Sequence, residues 1–73
     1  MTKYTVTAGD VSTDLGVMGR CASLREARRV GRRAVDACLP GGSGTYVIRD
    51  ADGKEVERGE RTMRTGYAWM ARS

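Results

Sequence analysis

The chain has 73 residues and a formal net charge of +4, with one Trp, three Tyr, no Phe and no His. A chain of this length forms one domain, residues 1–73, and its core is near the smallest that folds unaided. The absence of His removes the commonest general base and a common zinc ligand. A homodimer, or docking on a partner, would compensate for the scarcity of large apolar side chains.

Residues 3–8 begin the chain with alternating side chains. Tyr4, Val6 and Ala8 share one face, and threonines occupy the other. This alternation predicts a half-buried strand. Residues 9–14 are rich in turn formers and end it.

Residues 15–20 allow two interpretations. They form either a short second strand, with Leu15 and Val17 facing inward, or a loop. The loop remains open as an alternative because Gly16 and Gly19 weaken a strand.

Residues 23–39 have the periodicity of an amphipathic helix. Ser23 and Glu26 fit a capping box at its start, and Pro40 places its end at residue 38 or 39. The apolar side consists of small residues, Leu24, Ala27, Gly31, Ala34, Val35 and Cys38, with Val30 and Leu39 at its edges. The opposite side is strongly basic, and Arg28 lies at the boundary, where its stem can cover apolar surface.

Gly31 lies in the middle of this helix, where glycine costs about 1 kcal/mol relative to alanine. Close packing of the helix on a sheet would offset that cost. The alternative is that Gly31 is simply tolerated.

Residues 45–49 and 54–60 are predicted to form a hairpin around a three-residue loop, with Gly53 available for a positive φ. In this register Ile48 opposes Val56 and both face the core. Arg49 opposes Glu55 as an exposed pair of opposite charge.

Residues 62–66 are predicted to form a polar turn and residues 67–71 a last strand. Tyr67 and Trp69 would then share one face, either within the core or as a contact platform for a partner. The expected architecture is α+β, with one α-helix packed on an antiparallel sheet of four to five strands.

Cys21 and Cys38 lie near opposite ends of the helix, about 22 Å apart at 1.5 Å per residue. A disulfide needs Cα atoms within about 7 Å, so an intact helix excludes a bridge between them. Two free thiols are typical of a reducing compartment, which predicts a cytoplasmic protein. No apolar run is long enough to span a membrane.

No catalytic set, metal site or cofactor site is predicted. The carboxylate pairs Asp50/Asp52 and Glu55/Glu57 are interpreted as turn formers and as a solvated strand face. The glycine-rich segment at 40–44 lacks the Lys-Ser/Thr and the following helix of a phosphate-binding loop.

The basic side of the helix is the main candidate site. Residues 20–33 contain six Arg and one Glu, a local charge of +5. Such a surface either contacts an acidic partner or is simply solvated. The candidate partner-binding residues are Arg25, Arg28, Arg29, Arg32 and Arg33, together with Tyr67 and Trp69.

The succession of a strand, a helix beginning SLREA, the hairpin YVIRDADGKEV and a short aromatic end resembles small sheet-plus-helix proteins of phages and mobile elements, including anti-CRISPR proteins. The resemblance implies a non-catalytic inhibitor that docks on a bacterial effector complex. Anti-CRISPR proteins are often acidic mimics of nucleic acid, whereas this chain is basic. The partner implied is therefore an acidic protein surface or a ribonucleoprotein effector.

An alternative function of a different class is weakly specific DNA or RNA binding by the arginine-rich side of the helix. Phosphate contacts by arginine would make such binding strongly dependent on salt.

Overall fold

The computed structural model describes residues 3–9, 14–38 and 43–72. One helix packs across a five-stranded antiparallel sheet, which is the predicted α+β arrangement. The elements are, in chain order, β1 (Tyr4–Gly9), β2 (Asp14–Cys21), α1 (Leu24–Cys38), β3 (Gly44–Arg49), β4 (Glu55–Arg61), a 3-10 turn (Met63–Thr65) and β5 (Met70–Arg72). Of the turn predicted over residues 9–14, Gly9 and Asp14 lie in strands and residues 10–13 lie outside the described residues. Residues 40–42 of the glycine-rich segment at 40–44 also lie outside them, and its last residue, Gly44, begins β3.

The sheet has the strand order β2-β1-β3-β4-β5, and α1 lies over β2, β1 and β3. Val6 and Ala8 of β1 are buried beneath the helix, as the alternation predicts. Their neighbours Thr5 and Thr7 face the other side of the sheet, which no helix in the described part of the chain covers and which we call the helix-free face. An antiparallel sheet can leave such a face in water when its side chains are polar.

The strand interpretation of residues 15–20 is correct, since β2 extends over Asp14–Cys21. The inward orientation predicted for Val17 is wrong, because Val17 pairs with Thr7 on the helix-free face and is exposed. The register of β2 shifts next to this pair, and Met18 packs against the core instead. The Leu15 side chain lies outside the described part of the structure.

Helix α1 begins after Ser23, whose Oγ accepts a hydrogen bond from the backbone N–H of Glu26 at 3.2 Å. It ends at Cys38, where the proline and glycines that follow predict its end. Ala27, Gly31 and Val35 are buried against the sheet. The predicted apolar side of the helix is therefore confirmed for these residues.

Tyr46 of β3 is fully buried and lies directly beneath the helix. A Cβ atom added to Gly31 would come within 2.5 Å of Tyr46 Cγ, and one added to Gly59 of β4 would also overlap the ring. The tyrosine ring therefore occupies space left by two glycines. This confirms that Gly31 allows close packing of the helix on the sheet.

The loop between β3 and β4 is the predicted three-residue loop, and Arg49 lies opposite Glu55 in the register, as expected. Their side chains do not form the predicted ion pair, because Glu55 binds Arg58 and Arg49 donates to the hydroxyl of Thr7. Gly53 has the positive φ of 85° that the hairpin requires. The Asp50 carboxylate accepts backbone N–H bonds from Asp52 at 2.9 Å and Lys54 at 3.0 Å. Asp50 therefore acts as a turn residue.

The register beyond this loop differs from the prediction. Ile48 opposes Glu57 and not Val56, because the pairing shifts by one residue after Arg49. Val56 is the extra residue of a β-bulge, and a bulge reverses the faces of the residues that follow it. Glu57, expected on a solvated face, is consequently buried beside the helix with 5% of its surface exposed.

The predicted turn at 62–66 is confirmed as a 3-10 turn, but the strand after it is shorter than expected. Tyr67 lies in the turn with a φ of 63°, and β5 starts only at Met70. The prediction that Tyr67 and Trp69 share a strand face is therefore wrong.

Candidate docking surface on the helix

The side of α1 away from the sheet carries an open depression of about 650 Å³. It is lined by the five predicted arginines, Arg25, Arg28, Arg29, Arg32 and Arg33, together with Asp36 and Ala37. At 100° per residue these arginines separate into two rows. We call Arg28 and Arg32 the inner row, and Arg25, Arg29 and Arg33 the outer row.

Arg28 of the inner row is bound to Glu57 across the helix–sheet interface. Its Nε donates to Oε2 at 2.8 Å and to Oε1 at 3.0 Å, and its Nη2 donates to Oε1 at 2.7 Å. The hydroxyl of Tyr46 donates to Oε2 at 3.2 Å. The buried carboxylate is thus paired and hydrogen-bonded, as a charge in a protein interior must be.

These contacts determine the ionisation of the cluster formed by Arg28, Tyr46 and Glu57. The hydrogen bonds from Arg28 lower the pKa of Glu57, although its burial acts in the opposite direction. Burial, followed by the neighbouring charge of Glu57, raises the pKa of Tyr46. Near neutral pH the cluster therefore consists of a carboxylate, a guanidinium and a neutral phenol, which is suited to holding the helix on β4.

Arg32, the second inner residue, lies over the indole of Trp69, with its Cζ 5.8 Å from the ring centroid. Arg61 of β4 covers the same ring at 4.9 Å. The indole also packs against Tyr46, with 5.4 Å between ring centroids. Cation–π contacts of this kind limit the freedom of both guanidinium groups.

Asp36 forms an ion pair with Arg61. Asp36 lies four residues after Arg32, a spacing at which opposite charges on a helix can pair, but its ion pair is with a strand residue instead. Arg61 thereby joins the C-terminal half of α1 to the end of β4.

The outer row has a different environment. Among the residues that the structure describes, Arg25, Arg29 and Arg33 form no ion pair, and all three are exposed. Successive members are four residues apart, which corresponds to about 6 Å along the helix axis. The outer row is therefore a line of three unpaired positive charges whose mutual repulsion an acidic partner would relieve.

The two aromatic candidates also differ from each other. Trp69 is half-buried and contacts both core clusters, so it belongs largely to the core. Tyr67 is exposed and makes no core contact of that kind. Of the seven candidate residues, the geometry thus leaves the outer row and Tyr67 free for a partner. Arg28 and Trp69 contribute to the packing of the fold, and Arg32 is exposed but lies over the Trp69 ring.

Sequence reasoning missed the contacts of three residues that shape this surface, namely Glu57, Asp36 and Arg61. The boundary position of Arg28 is the one signal that could have suggested a carboxylate partner. Nothing in the sequence pattern shows that the partner is Glu57, because the bulge at Val56 has no distinctive residue type.

Other chemistry is sparse. Cys21 is a free, buried cysteine, and burial together with the charge of Glu26 raises the pKa of its thiol, which opposes formation of the reactive thiolate. Within residues 3–9, 14–38 and 43–72, no group of three or more acidic or cysteine side chains is placed to hold a metal ion. In the same ranges, no helix combines the length and apolar character needed to cross a membrane.

No family model matches the chain, and neither a curated protein nor a solved structure shows significant similarity to it.

Proposed function

We propose that this chain is a non-catalytic binding protein whose outer row, Arg25, Arg29 and Arg33, docks on an acidic macromolecular surface. The observation that carries the proposal is the contrast between the two rows. Arg28 and Arg32 are held by Glu57 and Trp69, whereas the outer row has no ion-pair partner among the described residues. Arginine is well suited to such contacts because its planar guanidinium binds carboxylates and phosphates through two parallel hydrogen bonds.

More specifically, we propose that the protein is an inhibitor that docks on a bacterial effector complex in the manner of an anti-CRISPR protein. The small size and the pattern resemblance support this form, and the outer row supplies the docking surface. A protein of this kind acts by occupying a surface and needs no catalytic group. Binding in solution and phage protection are its two measurable consequences.

Direct, weakly specific DNA or RNA binding is the second candidate. The observation that favours it is the exposure of the outer row along about two helical turns, which leaves the guanidinium groups accessible to a phosphate backbone. If the protein contacts Z phosphates of duplex DNA, the logarithm of the association constant falls linearly with the logarithm of the salt concentration, with a slope of about −0.9Z.

The test compares Arg29→Glu with Arg20→Glu. Arg20 is also exposed, but it lies on β2 opposite Thr5, on the helix-free face, so the two variants change the net charge equally at different places. We expect Arg29→Glu to weaken binding to the acidic partner by about tenfold, equivalent to 1.4 kcal/mol, and Arg20→Glu to leave it within about twofold.

The partners to be tested are purified CRISPR effector complexes and a 20-base-pair DNA duplex, the duplex at two salt concentrations. Effector binding with phage protection would support the inhibitor form. DNA binding with the expected salt slope, and no effector binding, would support the second candidate. Equal effects of Arg29→Glu and Arg20→Glu on every partner would contradict a docking role for the outer row.

A further inference from the structure

The segment between β4 and β5, residues 62–68, forms a compact hook that we call the C-terminal hook. Its backbone is closed by hydrogen bonds from the N–H of Tyr67 to Thr62 O at 2.8 Å and from the N–H of Gly66 to Met63 O at 3.1 Å. The Thr65 hydroxyl accepts from the N–H of Thr62 at 3.0 Å. These hydrogen bonds fix the backbone conformation of the hook. They therefore also fix the positions of the Cα atoms that carry its side chains.

The hook presents two large apolar side chains to solvent. Met63 is 78% exposed and Tyr67 is 49% exposed. In the described residues, the other large apolar side chains exposed to this degree are Val17 and Met70. Val17 and Met70 lie on the helix-free face, opposite Thr7 and Glu60, so they belong to another part of the surface.

The two residues that flank the hook contact side chains of α1. The residue before it, Arg61, is paired with Asp36 of the helix, and the residue after it, Trp69, is covered by Arg32. Asp36 and Arg32 line the same depression as the outer row. The hook is therefore attached at both ends to side chains of the surface that carries the outer row.

Tyr67 adopts a left-handed backbone conformation, with a φ of 63°. This region is costly for a side chain such as tyrosine, and glycine or asparagine would satisfy the turn without that cost. Residues with strained backbones are concentrated at functional sites, where the unusual conformation contributes to function. Neither burial nor a core contact explains an aromatic ring at this position, which points to a role in contacting a partner.

We infer that Met63 and Tyr67 form the apolar part of the docking surface, and that the partner is an acidic protein with an apolar pocket beside its carboxylates. This inference rests on the proposed function of the outer row. Arginine, tyrosine and methionine together are the residue types enriched at protein–protein interfaces. A nucleic-acid backbone offers phosphates to the arginines, but an exposed methionine supplies neither the charge nor the aromatic face that nucleic acid uses.

The test uses three defined probes, each with a fluorescent label and measured by anisotropy at 150 mM salt. The first is a 24-residue acidic amphipathic peptide with Glu at every fourth position and a Leu face. The second is the same peptide with every Leu replaced by Ser, so that its charge is unchanged, and the third is a 20-base-pair DNA duplex. We expect the Leu-containing peptide to bind about tenfold more tightly than the serine-substituted peptide, since apolar contacts add to the shared charge.

The double variant Met63→Ser/Tyr67→Asn removes both apolar side chains, and asparagine tolerates the left-handed backbone. It should abolish the preference for the Leu-containing peptide while leaving the affinity for the serine-substituted peptide within about twofold. The matched control, Val17→Ser/Met70→Ser, removes two exposed apolar side chains from the helix-free face and should keep the preference.

The inference would be overturned if the hook variant bound every probe as the wild type does, or if the wild type bound the Leu-containing and serine-substituted peptides equally. Tighter binding of the DNA duplex than of the peptide would also overturn it, in favour of nucleic acid. Failure of the proposed function gives a separate result, because Arg29→Glu would then leave the affinity for all three probes unchanged.

Discussion

Arg28 on the helix and Glu57 on β4 are joined by three hydrogen bonds of 2.7 to 3.0 Å across the helix–sheet interface. Glu57 is buried, and the hydroxyl of Tyr46 donates a further bond to it. The ion pairs in the described part of the chain contain three carboxylates, those of Glu57, Glu55 and Asp36, and Glu57 is the most deeply buried of them. The pair therefore connects the arginine-rich side of the helix with the core.

Removal of the cationic partner should destabilise the fold. In Arg28→Met the side-chain stem is retained, but Glu57 is left buried with the Tyr46 hydroxyl as its remaining donor among the described contacts. A buried charge that loses its partner is strongly unfavourable. We expect a clear fall in the melting temperature, measured by circular dichroism. Arg29→Met on the same helix is the matched control, and an equal fall in both variants would contradict a special role for the Arg28–Glu57 pair.

The same pair predicts how stability depends on pH. The folded state lowers the pKa of Glu57 below its unfolded value of about 4.3. Its stabilising contribution is therefore present above that pH and is lost as the pH falls toward the folded pKa. At pH 7, Glu57→Gln should lower the free energy of unfolding by about 1–3 kcal/mol, and this difference should shrink as the pH falls below the unfolded pKa of about 4.3.

Urea unfolding at pH 7, 4 and 3 measures this dependence. Glu55→Gln is the control, because Arg58 also lowers the pKa of Glu55 but that pair is exposed. Exposed ion pairs contribute little. A pH-independent difference between the wild type and Glu57→Gln would show that the charge of Glu57 does not contribute to stability.

The contact of Gly31 with Tyr46 predicts an unusual response to alanine. Gly31→Ala gains about 1 kcal/mol in helix propensity, yet its Cβ would overlap the tyrosine ring. We expect the overlap to dominate and the free energy of unfolding to fall by about 1–3 kcal/mol. A larger residue such as leucine should be still less tolerated.

The exposed Ala37 of the same helix provides the comparison, since Ala37→Gly should destabilise by up to about 1 kcal/mol through propensity alone. Glycine is thus expected to be preferred at position 31 and alanine at position 37. Chemical denaturation of both variants measures this. If Gly31→Ala were stabilising, the helix would have to move away from Tyr46 at little cost.

The left-handed backbone at Tyr67 predicts a conflict between stability and docking. Tyr67→Gly relieves the strain, whereas Tyr67→Ala retains it, and both variants remove the ring. The glycine variant should exceed the alanine variant by about 1 kcal/mol in free energy of unfolding. Thermal melts compare the two. Equal stability of the two variants would mean that the backbone at position 67 is not strained.

The local features of the sequence were sufficient to predict much of the fold. The alternation of β1, the Ser23 cap, the helical periodicity and the glycine at position 53 are all confirmed. Each depends on residues close together in the chain, where steric limits and nearby hydrogen bonds decide the conformation. The sequence also places five arginines on one side of the helix, because that placement needs only the 100° rotation per residue.

Tertiary structure decided which of those arginines are free. The bulge at Val56 turns Glu57 toward the helix, where it binds Arg28, and the late start of β5 places Trp69 beneath Arg32. A bulge depends on how two strands pair and not on a local residue preference, so the alternation of β4 could not reveal it. The sequence by itself determined that the helix is basic. The packing of the helix on the sheet distinguished the inner row from the outer row, because only the fold brings a buried carboxylate and an indole within reach of the inner arginines.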